Sequence, residues 1–284
     1  MLELLLILLS LMLLVAGSLT DLRSREVPDW LSYAGIGIGA LVRIVWSVTA
    51  QEYRHLLDGL TGFALFWLVG AAMYYTGQWG GGDAKILMAL GTINGVHLQW
   101  TDFMLGFLAN SLIIGAAYGI VWLGVLSLKN SKQMKILFQH LLAKERMTHW
   151  ISLLGFIACA GAALFFSDPN LQAILLVLGV WCVLFLFLFI WLRTVEECCM
   201  KKRVPVHQLT EGDWVAKKVI VNNKQICGPH YEGLTSAQLQ QLQKLSFRGK
   251  IKNVLIKQGI PFVPNFLIAF IATLVWDNLV FMFF

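Results

Sequence analysis

Gly80-Gly81-Gly82-Asp83-Ala84-Lys85 and, well before it, Asp21-Leu22-Arg23-Ser24-Arg25-Glu26-Val27-Pro28-Asp29 each stand where a long apolar run meets a short polar connection. Each puts one aspartate, Asp83 or Asp21, at that boundary. A single carboxylate there most simply ends a helix. Two at the same depth on the same side can share a proton and activate a water, which is the equipment of an aspartic protease. Whether they share a depth is set by how the chain crosses the membrane.

The chain has 284 residues, of which 58% are hydrophobic and 13% charged, and its mean hydropathy is +0.70. A soluble domain of this size has too little interior for so much apolar surface, so the composition describes a polytopic membrane protein. Apolar segments fall near 2–20, 31–48, 58–76, 84–99, 103–127, 150–167, 171–192 and 261–284, about eight transmembrane helices. The fold expected is therefore an all-α polytopic membrane protein with a small α+β cytoplasmic subdomain between the last two spans. Leu2 to Thr20 lacks the basic start of a signal peptide and reads as a retained span. Asn94 and His97 interrupt 84–99, which leaves open whether it crosses or re-enters.

The connections 21–30, 77–83, 128–149 and 193–260, with Lys85, hold all but Arg43 and Arg54 of the 22 lysines and arginines. The positive-inside rule puts that set in the cytoplasm and both chain ends outside. Asp21 then ends a span arriving at the cytoplasmic face and Asp83 begins one leaving it. Basic residues beside anionic lipid are the ordinary origin of such an excess, so it gives no argument for nucleic acid. Membrane lipids are the partners it implies.

The chain divides into 1–127, carrying both aspartates, a 128–149 loop, two spans in 150–192, a polar stretch 193–260 and a last span 261–284. Residues 128–149 read as an amphipathic interfacial helix. Trp214 to Val221 reads as a strand with Asn222-Asn223 as its turn, and Ser236 to Leu245 as a helix capped by Thr235 or Ser236. The five cysteines, Cys159, Cys182, Cys198, Cys199 and Cys227, have no metal spacing. Neither a metal nor a cofactor is expected.

The two aspartate stretches together resemble the paired signature of type IV prepilin peptidases: an aspartate ending the first span, then Arg and Val-Pro-Asp, with the partner in Gly-x-Gly-Asp-x-Lys. Gly259-Ile260-Pro261-Phe262-Val263-Pro264-Asn265 is similar to the Pro-Phe-x-Pro entry of archaeal members, including the preflagellin peptidases. The resemblance implies a GxGD aspartic membrane protease with Asp21 and Asp83 as catalytic residues. Gly80, Gly82, Lys85, Arg25 and Pro28 would support the catalytic loops, and Glu26 and Asp29 would meet a basic leader. It implies removal of that leader from prepilin-like or archaellin precursors. The Cys-x-x-Cys domain and methyl-donor site of bacterial relatives have no counterpart here, so cleavage without methylation is expected.

Residue chemistry bears on the same sites without kinship. Three glycines before Asp83 remove every Cβ and let the backbone pass close to a partner. Asp83 sits at the favourable end of its helix dipole, worth about 0.3–1 kcal/mol to a carboxylate, and Asp21 at the unfavourable end of its own. On that contrast Asp83 would be the ionised, water-activating member and Asp21 the proton donor, the pair titrating as a unit. Lys85 would either reach the headgroups or pair with an aspartate. Two other functions fit an acidic pair in a membrane: an ion- or proton-coupled transporter, and a non-catalytic scaffold for pilus assembly.

Overall fold

A computed structural model describes residues 2–97, 99, 102–221, 223–230 and 233–279. The end of the expected 261–284 span, part of 84–99 and Asn222 of the expected turn lie outside the described residues. The elements in chain order are α1 (Leu2–Ser24), α2 (Asp29–Ala50), α3 (Arg54–Tyr75), α4 (Gly81–Asn94), α5 (Phe103–Lys129), α6 (Ser131–Lys144), α7 (Arg146–Ala163) and α8 (Pro169–Val195). A π-helical turn (Glu196–Met200) leads into β1 (Lys201–Pro205), a 3-10 turn (Val206–Gln208), β2 (Trp214–Val215), β3 (Val219–Val221) and β4 (Lys224–Cys227). The chain then forms α9 (Ser236–Phe247), β5 (Asn253–Lys257) and α10 (Val263–Trp276).

Every apolar segment contains helix, but the expected count of eight spans is not carried over. Among the described residues five helices are long and apolar enough to cross: α1, α2, α3, α5, and α8 with its π-helical extension. Helices α4 and α10 have 14 residues each, a rise of roughly 21 Å against a hydrocarbon core of roughly 30 Å. Helix α7 has 18 residues and begins with Arg146.

Helix α4 is short because protein surrounds it. Ile86, Leu87, Ala89 and Leu90 are fully buried and Ile93 is 1% exposed, the all-round burial of an interior helix. Helices α1, α2 and α3 wrap it, and small residues let them approach. Gly35 faces Ala89, Gly70 faces Ala84, and a Cβ on Gly62 would lie 2.1 Å from the Gly91 carbonyl oxygen. The far end of α4 stops inside the bundle, where its carbonyls need donors. Arg43, 4% exposed, donates from Nε to Ile93 O at 2.9 Å and from Nη1 to His55 O at 2.8 Å. This buried arginine was read from sequence merely as one of two cations on the far side.

The connections assigned to one side do meet at one end. Arg25 Nη1 donates to Gly259 O at 2.6 Å, Thr210 Oγ1 to Glu26 Oε1 at 2.8 Å, and Arg193 pairs with Glu145. The opposite rim is joined by His97 with Asp58 at 3.0 Å and by Asn110 Nδ2 to Asp277 O at 2.7 Å. Helix α6 occupies the expected interfacial stretch. Its Leu141 packs with Leu186 and Ile190 of α8, which gives its apolar face a protein partner.

The polar subdomain is α+β, as expected, but its strand is broken. Residues 216–218 interrupt 214–221, so β2 joins a sheet of order β1-β5-β2 while β3 pairs with β4. Both flanking strands pair antiparallel with β5, Val204 opposite Val254 and Val215 opposite Ile256. Val206, Leu209, Val215, Leu242 and Val254 form its core. Helix α9 opens on a capping box: Gln238 N donates to Thr235 Oγ1 at 3.4 Å, and Thr235 N to Gln238 Oε1 at 3.2 Å. Thr235→Ala should cost about 1 kcal/mol, read as faster hydrogen exchange in the first turn of α9 with α1–α5 unchanged.

Candidate active site

Asp21 lies in the last turns of α1, and Asp83 is the third residue of α4. A Cβ on Gly17, one turn before Asp21, would sit 3.4 Å from Ile86 Cδ1 of α4 and 3.2 Å from Val263 Cγ1 of α10. Helix α1 therefore touches both at that level. Asp21 is four residues onward from Gly17, and Asp83 three residues back from Ile86. At about 1.5 Å per residue both steps lead roughly 4–6 Å toward the same end. The aspartates thus stand level on neighbouring antiparallel helices, and the charge of Asp21 is felt at Asp83. Asp21 is 5% exposed, and Asp83 is partly exposed.

Each carboxylate is held by amides at a helix start. Gly80 N donates to Asp83 Oδ2 at 3.0 Å, closing the first turn of α4. Val263 N donates to Asp21 Oδ2 at 2.9 Å, with the Phe262 amide alongside. The second contact corrects the dipole reading from sequence. Helix α1 presents Asp21 with its unfavourable end, but α10 begins there and presents its favourable one. The electrostatic contrast between the two aspartates is accordingly smaller than α1 and α4 alone would give.

This also supplies a role that Gly259 to Asn265 lacked. Pro264 occupies the first turn of α10, where a missing N–H is harmless, and the free amides before it face Asp21. Trp79, just before the triple glycine, packs on Phe262 and Phe266 at centroid distances of 5.5 and 5.3 Å. The segment before α4 and the segment before α10 are thereby fixed to each other.

The supporting residues separate by what they touch. Gly82 is the close-packed glycine: a Cβ there would be 3.1 Å from Val27 Cβ, whereas one on Gly81 would find its nearest neighbour at 3.8 Å. Arg25 has a left-handed backbone, φ 59°, ends α1 by donating its N–H to Asp21 O at 2.8 Å, and ties the loop to Gly259. Pro28 caps α2 in an extended conformation. Lys85 pairs with Asp29, Nζ to Oδ1 2.6 Å, and lies 5.4 Å from the Tyr33 ring centroid. Of the two sequence readings for Lys85, pairing with an aspartate is observed, but the aspartate is neither Asp21 nor Asp83.

Because both groups of that pair are partly exposed, it is worth at most about 1 kcal/mol. Lys85→Gln should leave the melting temperature within about 2 °C and precursor processing within about tenfold, measured on purified protein. Glu26 accepts from Thr210 and lies near Asp213, whose carboxyl is held above its ordinary range by burial, against the lowering effect of the Thr210 amide. Of the two acidic groups read as facing a basic leader, Glu26 therefore stands beside Asp213, while Asp29 is taken up by Lys85.

Among the described residues no cluster of His, Cys, Asp and Glu could hold a metal. A cavity of about 230 Å³ opens beside Arg25, between Leu126 of α5 and Asn130 just after it on one side and Gln258 to Ile260 on the other. Neither Asp21 nor Asp83 lines it.

The same stretch of chain has relatives. Residues 7–120 match the model of the type IV leader peptidase family. Over 80 residues the chain is 35% identical to the preflagellin peptidase of Methanococcus maripaludis and 30% identical to that of Methanococcus voltae, in each case 28% of this chain and 34% of the relative. An uncharacterised protein of Methanocaldococcus jannaschii is 25% identical over 45% of this chain and 61% of its own length. The chain thus matches about a third of the length of the named peptidases. The residues that match the type IV leader peptidase family, 7–120, include both aspartates.

Proposed function

We propose that this protein is a membrane aspartic endopeptidase that removes a short basic leader from prepilin-like or archaellin precursors, without methylating the new amino terminus. The observation that carries this reading is the convergence of Asp21 and Asp83 at one level beside the start of α10. The named relatives support the substrate class. The basic residues gathered at the same end support the cytoplasmic face as the place of reaction.

In the proposed reaction one carboxylate takes a proton from a water lying between the two side chains. The water oxygen bonds to the scissile carbonyl carbon while the other, protonated, carboxyl gives its proton to the carbonyl oxygen. The tetrahedral species then collapses: the C–N bond breaks, the leaving nitrogen takes the proton held by the first carboxyl, and one hydroxyl on the former carbonyl carbon returns its proton to the second carboxylate as the new carboxyl group forms. Atoms balance with water as the sole co-reactant, and no acyl-enzyme forms. Either aspartate can fill either role, since coupled carboxyls titrate as a pair. A transporter would place its acidic pair near the bilayer midplane at broken helices, and these aspartates lie at helix ends.

The test is to mix the purified full chain, in liposomes, with a precursor bearing a basic leader and to sequence the product by mass spectrometry. A single cut between leader and apolar helix, with an unmethylated amino terminus even when a methyl donor is added, is the expected result. An intact precursor rules the reading out.

A further inference from the structure

Each of the two aspartates accepts a backbone hydrogen bond, Asp83 from Gly80 and Asp21 from Val263. In both cases the residue immediately before the donating amide is a large aromatic, Trp79 or Phe262. The two rings pack on each other with centroids 5.5 Å apart and planes tilted by 37°. One chain of contacts therefore joins the two carboxyl groups: Asp83, the Gly80 amide, the Trp79 ring, the Phe262 ring, the Val263 amide, Asp21.

Packing of α1 on α4 sets the level of the two helices, but the amides belong to the segments that precede α4 and α10. Glycine brings no side chain and the freest backbone to such a segment. Within 4 Å a Cβ on Gly80 would meet only Asp83 Oδ2, at 3.4 Å, and one on Gly81 only Tyr74 Cε2, at 3.8 Å. The nearest firm anchor upstream is Trp79, which is 4% exposed and donates its own N–H to Met73 O of α3 at 3.2 Å. Its ring also meets the fully buried Phe266, in the first turns of α10, edge-on at 5.3 Å and 84°. Trp79 is thus tied to α3 by its backbone and to α10 by its ring, and the Gly80 amide follows it by one residue.

We propose that Trp79 is a positioning residue: by holding Phe262 and Phe266 it fixes the separation of the Gly80 and Val263 amides, and through them the spacing of the Asp83 and Asp21 carboxyl groups. Spacing matters because one water must lie within hydrogen-bond reach of both carboxyls, and a displacement of about 1 Å can cost about 10²-fold in rate. Trp79 acts on the carboxyl groups through the amides, so its loss falls on kcat and spares KM. The effect on rate rests on the proteolytic reading above; the effect on spacing stands without it.

Spacing is measured between spin labels on Gln78→Cys and Gly259→Cys, in the full chain with its five native cysteines replaced. Both sites are exposed, and a Cβ on Gly259 would meet nothing within 4 Å. The distance distribution should be narrow with Trp79 in place and should shift or broaden in Trp79→Leu. On a precursor, Trp79→Leu should lower kcat at least about tenfold with KM within about twofold, and Trp79→Phe, which keeps a ring against Phe262, should return kcat to within about threefold of the parent. Phe262→Leu should match Trp79→Leu, and the two together should be scarcely worse than either alone, because both remove one contact. Phe270→Leu removes a fully buried ring packed on Phe103 and Phe107, two turns further along α10; it should lower the melting temperature comparably and leave kcat and the distances parental. Should Trp79→Leu fail to fold, Phe262→Leu tests the same contact from its other side. A parental distance distribution in the leucine variants at 79 and 262, or an equal fall in kcat in Phe270→Leu, would overturn the inference and leave the protease reading intact. A parent that cleaves no precursor removes the protease reading, and the distances then decide alone whether Trp79 sets the spacing.

Discussion

Asparagine at either position 21 or position 83 should reduce precursor processing by at least about 10⁴-fold while the protein stays folded. The size follows from what is lost: without one carboxylate no group can take the proton from water or supply it to the carbonyl oxygen, and members of such a unit typically cost about 10⁴–10⁶ in rate when removed singly. The fold should survive because each position acts structurally as an acceptor. An amide oxygen at 83 still receives the Gly80 N–H, and one at 21 still receives the Val263 N–H. The double variant should be scarcely worse than either single one, since the pair acts as one device. Rates on a labelled precursor, with melting curves on the same preparations, decide this. A single variant with more than a tenth of parental activity contradicts it.

A second large effect is expected far from the chemistry. Gly62→Ala should destabilise the membrane core by about 3 kcal/mol or more, because its Cβ would sit 2.1 Å from the Gly91 carbonyl oxygen and 2.8 Å from Gly95 Cα. Gly91→Ala meets Gly62 O at 2.5 Å from the other side and should behave alike. Backbone atoms cannot move aside as a side-chain tip can, so α4 must shift, and Asp83 shifts with it. The companion change is Gly37→Ala, where a Cβ would meet nothing within 4 Å. That helix-interior site should be neutral or gain up to about 1 kcal/mol. Melting temperature and processing rate should fall together for the first two variants and hold for the third.

Much of the site was legible because polar residues are costly in apolar runs. Asp21 and Asp83 stood out against hydrophobic neighbours, and charge asymmetry brought their connections to one side. The Thr235 cap of α9 was equally readable, since a hydroxyl three residues before Gln238 has a local meaning. What sequence hid was the long-range partner of each group. Nothing near Asp21 announces that Val263 holds it, because that contact depends on α10 arriving beside α1. Arg43 looked like a stray cation on the wrong side, when its task is to satisfy the buried end of α4. The expected count of eight spans is not confirmed for a related reason: hydropathy cannot distinguish a helix bathed in lipid from one enclosed by three others, and α4 is enclosed.

The convergence of the two carboxylates is tested most directly by distance. In a form of the protein with its five cysteines replaced, Asp21→Cys and Asp83→Cys would be combined and treated with a short bifunctional thiol reagent. Efficient intramolecular bridging, and labelling of both thiols by an impermeant reagent from the cytoplasmic side alone, is the expected result. Bridging no better than that of Asp21→Cys with Asp102→Cys at the opposite rim, or labelling of the two thiols from opposite sides of the membrane, would contradict it.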